Sequence, residues 1–85
     1  MIVRIKDIEA LDDYILLVKF DDGKVVEYDV KEDLDTLPDY DDLKNIKGLW
    51  QQVQLDASRT CVYWNDYIDL PSDAIYEYGK ERKKN

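Results

Sequence analysis

The feature that most constrains the fold is a pair of apolar, β-branched runs at residues 14–20 and 24–30, separated by Asp21-Asp22-Gly23. Runs of this kind joined by a short turn predict a β-hairpin. A three-residue loop collects the large apolar side chains of both strands on one face, whereas a two-residue loop places them on mismatched faces. The three-residue loop also puts Gly23 where a type I turn with a bulge needs a positive φ.

The register that this loop imposes pairs Leu16 with Tyr28 and Val18 with Val26. One face of the hairpin then carries only apolar and aromatic side chains, which are Tyr14, Leu16, Val18, Phe20, Val26, Tyr28 and Val30. The opposite face is mixed and carries Ile15, Leu17, Lys19, Val25, Glu27 and Asp29. Either a helix covers this mixed face or it is a patch for a partner, because exposed apolar patches on small proteins often mark binding sites.

Short helices are predicted after the hairpin and near the end of the chain. Val30, Leu34 and Leu37 have the spacing of one helical face, and Pro38 ends that segment. A second short helix has acidic residues at its start and Gly48 after its end, and its predicted core contacts are Tyr40, Leu43 and Ile46. The last helix is predicted to begin at Pro71-Ser72-Asp73 and to end at Gly79.

The order of these elements predicts a small α+β domain. We expect a single antiparallel sheet of five or six strands, in the order β-β-β-α-β-β-(β)-α, with the short helices packed on one face. Strands are expected at 2–9, 60–64 and 67–70 in addition to the hairpin, and the weak alternation over residues 50–56 suggests a further strand there. Residues 1–79 are expected to form the one domain, and the charged residues 80–85 a disordered tail.

Charge and composition exclude several classes of function. The 85 residues carry 12 basic and 20 acidic side chains, a formal net charge of −8, and no histidine. An acidic surface argues against direct nucleic-acid binding, and without histidine the commonest general base and metal ligand are absent. The lone Cys61 is expected to be a buried apolar residue. With neither a signal peptide nor a membrane span visible, a cytoplasmic protein is expected.

Four sequence motifs resemble those of a small bacterial family, domain of unknown function 2442. They are Phe20-Asp21-Asp22-Gly23, Tyr28-Asp29-Val30, Leu43 followed by Trp50 and Val53, and Val62-Tyr63-Trp64-Asn65 followed by Ile68-Asp69-Leu70-Pro71 and Ile75-Tyr76. The turn after Trp64 departs from the family pattern, which usually has a glycine there. The resemblance implies a compact α+β domain without established catalysis. It also implies a gene neighbourhood similar to that of a toxin–antitoxin pair, which is an association and not a mechanism.

Two groups of residues are candidates for contact with a partner. The first is the acidic stretch with one aromatic residue, Asp35, Asp39, Tyr40, Asp41 and Asp42, for which helix capping with a solvated acidic edge is the competing interpretation. Its spacing does not fit a calcium loop, so no metal or cofactor is expected. The second group is Tyr63 and Tyr67, which are expected either at the edge of the core or in an interface, as is Tyr40.

Three hypotheses about function follow from these residues and from the resemblance. The first is a non-enzymatic module that binds a basic protein, as the acidic partner of a toxin–antitoxin-like pair. The second is a transcription-linked regulatory domain that acts through a DNA-binding partner. An enzyme that uses carboxylates or a metal is the least favoured, because no nucleophile lies beside a base. The chain itself is expected to be a monomer or a weak homodimer.

Overall fold

The structure is a computed structural model that describes residues 3–82. Over this range the chain forms the strands β1 (Ile5–Ala10), β2 (Ile15–Phe20), β3 (Val25–Asp29), β4 (Gln54–Leu55), β5 (Cys61–Asn65), β6 (Ile68–Pro71) and β7 (Lys80–Glu81). The α-helices are α1 (Lys31–Thr36), α2 (Asp42–Asn45) and α3 (Ser72–Tyr78). Three short 3₁₀ helices lie at Asp12–Tyr14, Pro38–Asp41 and Trp50–Gln52.

The strands form two antiparallel sheets, so the α+β class is confirmed while the expectation of one sheet is wrong. The first sheet has the order β1-β2-β3-β7 and the second the order β4-β5-β6. The two sheets approach each other where the Ile5 amide donates to the Arg59 carbonyl oxygen at 2.7 Å. Hydrophobic patterning identifies strands but not their nonlocal partners, which is why the division into two sheets was not predicted.

The predicted hairpin register is confirmed. Leu16 pairs with Tyr28 and Val18 with Val26. The Gly23 amide donates to the Phe20 carbonyl oxygen at 3.0 Å, and Gly23 has a φ of +94°. A register in which one face is buried is strongly specified, because a slip of one residue would expose every core side chain of the strand.

The core lies between the two sheets and receives one buried apolar side chain from each α-helix. Those three are Leu34, Leu43 and Ile75. Trp50 and Trp64 are also buried, and their rings stack with centroids 5.5 Å apart. Since the buried side chains of the helices all enter this core, the helices pack against the apolar face of the hairpin and not against its mixed face.

Two apolar residues that the helical spacing placed in the core are exposed instead. Leu37 is 44 % exposed and Ile46 is 49 % exposed. Each has extended backbone angles just after the end of a helix, so the helical period no longer determines where its side chain points. Leu37 is extended because it precedes Pro38, which disfavours the helical conformation for the residue before it.

The expectation of a disordered tail from residue 80 is corrected at its first two residues. Lys80 pairs with Glu27 and Glu81 pairs with Val26, so β7 forms an edge of the four-stranded sheet. The Arg82 amide extends this pairing by donating to the Val25 carbonyl oxygen at 2.7 Å. The remaining part of the expected tail, residues 83–85, lies outside the described residues, as do residues 1 and 2.

Candidate functional site

The acidic segment, which we define as residues 32–42, contains six acidic and no basic side chains. It runs through α1, the 3₁₀ helix Pro38–Asp41 and the start of α2. Asp35, Asp39 and Asp41 are exposed, and Asp42 is half-buried. The N-cap residues of these three helical elements make no side-chain hydrogen bond, so side-chain capping does not explain this run of aspartates. What remains of the competing interpretation is a solvated acidic edge.

Asp33 differs from the other acids of the segment because the hydroxyl of a half-buried tyrosine is hydrogen-bonded to it. The Tyr28 hydroxyl donates to Asp33 Oδ2 at 2.9 Å. Burial of the ring and this bond to a carboxylate both raise the pKa of Tyr28. This side chain therefore ties α1 to β3 and does not belong to the exposed acidic surface.

Tyr40, which the sequence left open between the core and an interface, is a core residue and does not contribute to the exposed acidic surface. It is 5 % exposed, and its ring lies 6.5 Å from that of Trp64. Its hydroxyl donates to the Asp69 carbonyl oxygen at 2.5 Å, so it satisfies a backbone acceptor on the edge strand β6. Burial raises the pKa of the Tyr40 hydroxyl further above neutrality, so the group donates this bond as a neutral hydroxyl.

The two other candidate tyrosines lie on the β5–β6 hairpin of the second sheet. Tyr63 is half-buried, and its hydroxyl bonds to Gln54 Oε1 at 3.2 Å. Tyr67 is 76 % exposed and lies in a turn in which Asn65 Oδ1 accepts from the amides of Tyr67 and Ile68, at 2.8 and 3.0 Å. The predicted site residues thus belong to two separate regions, the acidic segment and the β5–β6 hairpin. The hydrogen bond from the Tyr40 hydroxyl to β6 connects the two regions.

Metal binding would involve clustered acidic side chains, and thiol reactivity would involve Cys61. No group of three or more histidine, cysteine, aspartate or glutamate side chains in this range is arranged to hold a metal ion. Cys61 is half-buried, and burial raises the pKa of its thiol, which disfavours the reactive thiolate.

A groove that sequence reasoning missed lies between the β1–β2 connection on one side and α2 with the chain that follows it on the other. Its volume is about 320 Å³. The β1–β2 connection contributes Asp12 and Asp13 to one wall, and the segment after Leu43 contributes Lys44 and Lys47 to the other. The apolar part of the lining consists of Leu11, Tyr14, Leu43, Ile46 and Trp50.

The acidic wall of the groove is built on backbone that few residues adopt. Asp13 and Tyr14 have φ values of +63° and +58°, a region that is uncommon for residues other than glycine. Lys31 Nζ holds this turn by donating to the Asp13 carbonyl oxygen at 2.8 Å and to its Oδ2 at 3.1 Å. On the other side, Trp50 Nε1 donates to the Leu11 carbonyl oxygen at 2.8 Å. Strained turns persist where the surrounding structure determines them, and such turns concentrate at functional sites.

The two walls of the groove carry opposite charges that do not neutralise each other within the chain. Over the described range, Lys44, Lys47 and Asp12 form neither an ion pair nor a side-chain hydrogen bond. The Asp13 carboxylate is paired with Lys31. No sequence signal pointed to this groove, because its walls are 30 or more residues apart in the chain and neither wall has a recognisable motif.

Comparison with protein families finds one whose description fits the resemblance seen in the sequence. The family described as "Protein of unknown function (DUF2442)" matches residues 5–81. Neither the curated proteins nor the solved structures contain a match to the chain. None of the helices formed by residues 3–82 has the length and apolar character of a membrane span.

Proposed function

The chain belongs to the DUF2442 family, and we propose that it acts as a protein-binding module without enzymatic activity. Its partner is a basic protein, and the contact is made by the acidic segment. The pairing is that of a toxin and its antitoxin, with this chain as the acidic component and the product of the adjacent gene as the basic one. Both components are cytoplasmic in this proposal.

The observation that carries the proposal is an exposed leucine in the middle of an exposed acidic segment. Leu37 is 44 % exposed, and Asp35, Asp39 and Asp41 around it in the chain are exposed as well. An apolar anchor within a charged, solvated rim is the arrangement of a typical protein interface. The negative charge would steer a basic partner into contact and raise the association rate.

The chemistry of the chain supports a binding role over a catalytic one. With no histidine in the sequence, the hydroxyls of serine and threonine have no imidazole base to activate them. The best-placed polar side chains instead hold the fold together, as the bonds of Tyr28 to Asp33 and of Tyr40 to the Asp69 carbonyl oxygen do.

The test is calorimetric titration of this protein with the purified product of the adjacent gene, at low and at moderate salt. We expect binding that weakens as salt rises. The triple variant Asp35→Asn/Asp39→Asn/Asp41→Asn should bind about tenfold more weakly, mainly through a slower association rate. In cells, the wild-type protein should relieve growth inhibition by the neighbour, and the triple variant should relieve it less.

A matched control removes the same charge from exposed acids elsewhere. The variant Glu9→Gln/Asp66→Asn/Glu77→Gln also loses three negative charges, from residues that are exposed in the structure. It should bind within about twofold of wild type, because it weakens only the long-range electrostatic attraction and leaves the acidic segment intact. Equal weakening by both triple variants would mean that net charge, and not the acidic segment, governs the interaction. Absence of any complex at both salt concentrations would refute the proposal.

A further inference from the structure

We propose that the groove between the β1–β2 connection and α2 with the chain that follows it is a self-association surface, at which two copies of this chain pack around a two-fold axis. This goes beyond the proposed function, because it assigns a second surface and names its occupant as a second copy of the chain.

The charges that line the groove are self-complementary. The lining carries two acidic side chains, Asp12 and Asp13, and two basic ones, Lys44 and Lys47. In a two-fold interface, a contact from one patch to a second patch is repeated in the opposite direction. The basic wall of each copy would therefore face the acidic wall of the other, so each pairing is made twice.

The charges that line the groove are also balanced, although the chain as a whole is strongly acidic. A net charge of −8 disfavours association of identical copies over most of the surface. At the groove the four charged side chains sum to zero, so copies can approach there without that repulsion. Lys44, Lys47 and Asp12 have no ionic partner among residues 3–82. In the two-fold arrangement Asp12 of a second copy faces one of these lysines, and Asp13, which also binds Lys31, faces the other.

The groove also has an apolar lining, in which one exposed apolar side chain accompanies buried ones. Ile46 lines the groove and is 49 % exposed, while Trp50 and Leu43 beneath it are buried. The two-fold arrangement lets Ile46 of each copy enter the groove of the other. Removing these side chains from water supplies the non-directional part of the attraction.

The acidic wall is rigid enough for such an interface to form without reordering the turn. Lys31 and Trp50 fix the strained turn from both sides, and the Tyr14 ring packs edge-on against Trp50 with centroids 5.4 Å apart. Rigid, preformed surfaces avoid the entropy cost of ordering a loop upon association.

A charge-reversal experiment tests the proposal directly by sedimentation velocity over a range of concentrations. Wild type should self-associate as concentration rises. Asp12→Lys and Lys47→Glu should each weaken the homodimer about tenfold or more, because each variant places like charges opposite each other twice. An equimolar mixture of the two variants restores opposite charges at both contacts, so heterodimers should form with wild-type affinity, and native mass spectrometry distinguishes them by mass.

Two further variants separate the interface from general charge and folding effects. Lys6→Glu and Asp66→Lys make the same charge changes at exposed positions outside the groove, and they should leave self-association unchanged. Ile46→Ser should weaken it without lowering the melting temperature, since Ile46 is not part of the core. A wild-type protein that stays monomeric at all concentrations, reversal variants that dimerise like wild type, or a mixture without heterodimers would each overturn the proposal.

Discussion

Arg59 is the residue that links the turns of the two sheets. Its guanidinium Nη1 donates to Asp21 Oδ1 at 2.7 Å and to the Ile5 carbonyl oxygen at 3.1 Å. Asp21 lies in the turn of the first hairpin, and Arg59 lies between β4 and β5 with a φ of +60°. The sequence predicts the turn that contains Asp21, but it does not predict that the Arg59 side chain reaches this turn, because that contact spans 38 residues.

The pairing of Arg59 with Asp21 predicts a defined change in acid titration. The hydrogen bond from Arg59 holds the pKa of Asp21 below its usual value. A carboxyl whose pKa is lower in the folded state stabilises the fold above its unfolded pKa of about 3.9, and this contribution is lost as pH falls through the folded pKa. In Arg59→Gln, NMR titration of the carboxyl carbon should show the pKa of Asp21 rising toward its usual value.

Asp22 is the internal control for this titration, because its carboxylate is bonded to a different partner. The Tyr76 hydroxyl donates to Asp22 Oδ2 at 2.7 Å, and this bond lowers the pKa of Asp22. The pKa of Asp22 should therefore stay low in the Arg59→Gln variant. An unchanged pKa of Asp21 in that variant would contradict the assignment of the shift to Arg59.

At the scale of elements, the close approach of the chain after α3 to β3 explains why β7 can form. A Cβ atom at Gly79 would overlap Val26 Cγ1 and would lie 2.6 Å from the Ile75 carbonyl oxygen. Glycine at this position lets the chain leave α3 and run directly beside β3, where Lys80 pairs with Glu27. The sequence correctly predicts Gly79 as the end of the helix, but the strand that follows depends on a nonlocal partner and was missed.

Gly79→Ala is therefore expected to lower the free energy of unfolding by about 2–3 kcal/mol, the cost of overpacking a filled space. Denaturant titration measures this loss, and hydrogen exchange should show faster exchange of the Arg82 amide, which bonds to β3. Gly23→Ala is the matched control, since its Cβ meets open space and only its φ of +94° is strained. It should cost about 1–2 kcal/mol and leave exchange at Arg82 unaffected. Faster exchange in both variants would contradict the steric explanation.

At the scale of the whole molecule, the sequence predicted features that depend on residues close together in the chain. It did not predict features that depend on contacts between distant residues. The hairpin register and the turn at Gly23 follow from side-chain period and turn chemistry within 17 residues. The choice between core and interface for Tyr40 does not follow from them, because burial of its ring against Trp64 depends on how the second sheet packs. The groove was missed for the same reason. Its acidic and basic walls meet only after the chain has folded.

The net charge of −8 predicts how the stability of the whole molecule depends on salt. Repulsion among excess acids destabilises the compact state, and salt screens that repulsion. The melting temperature should therefore rise with salt, opposite in direction to the expected weakening of partner binding. The effect should be strongest at the acidic segment, where six acids lie within 11 residues without a base.

The two triple variants locate this repulsion when their thermal unfolding is followed by circular dichroism. Asp35→Asn/Asp39→Asn/Asp41→Asn should gain about 1 kcal/mol, or about 4–8 °C in a domain of this size, with a flatter salt dependence. No side-chain cap is lost, because these helical elements have none. Glu9→Gln/Asp66→Asn/Glu77→Gln reaches the same net charge of −5 (−8 + 3) but should gain less. Equal gains would place the repulsion in the molecule as a whole, and a melting temperature that falls with salt would contradict the prediction.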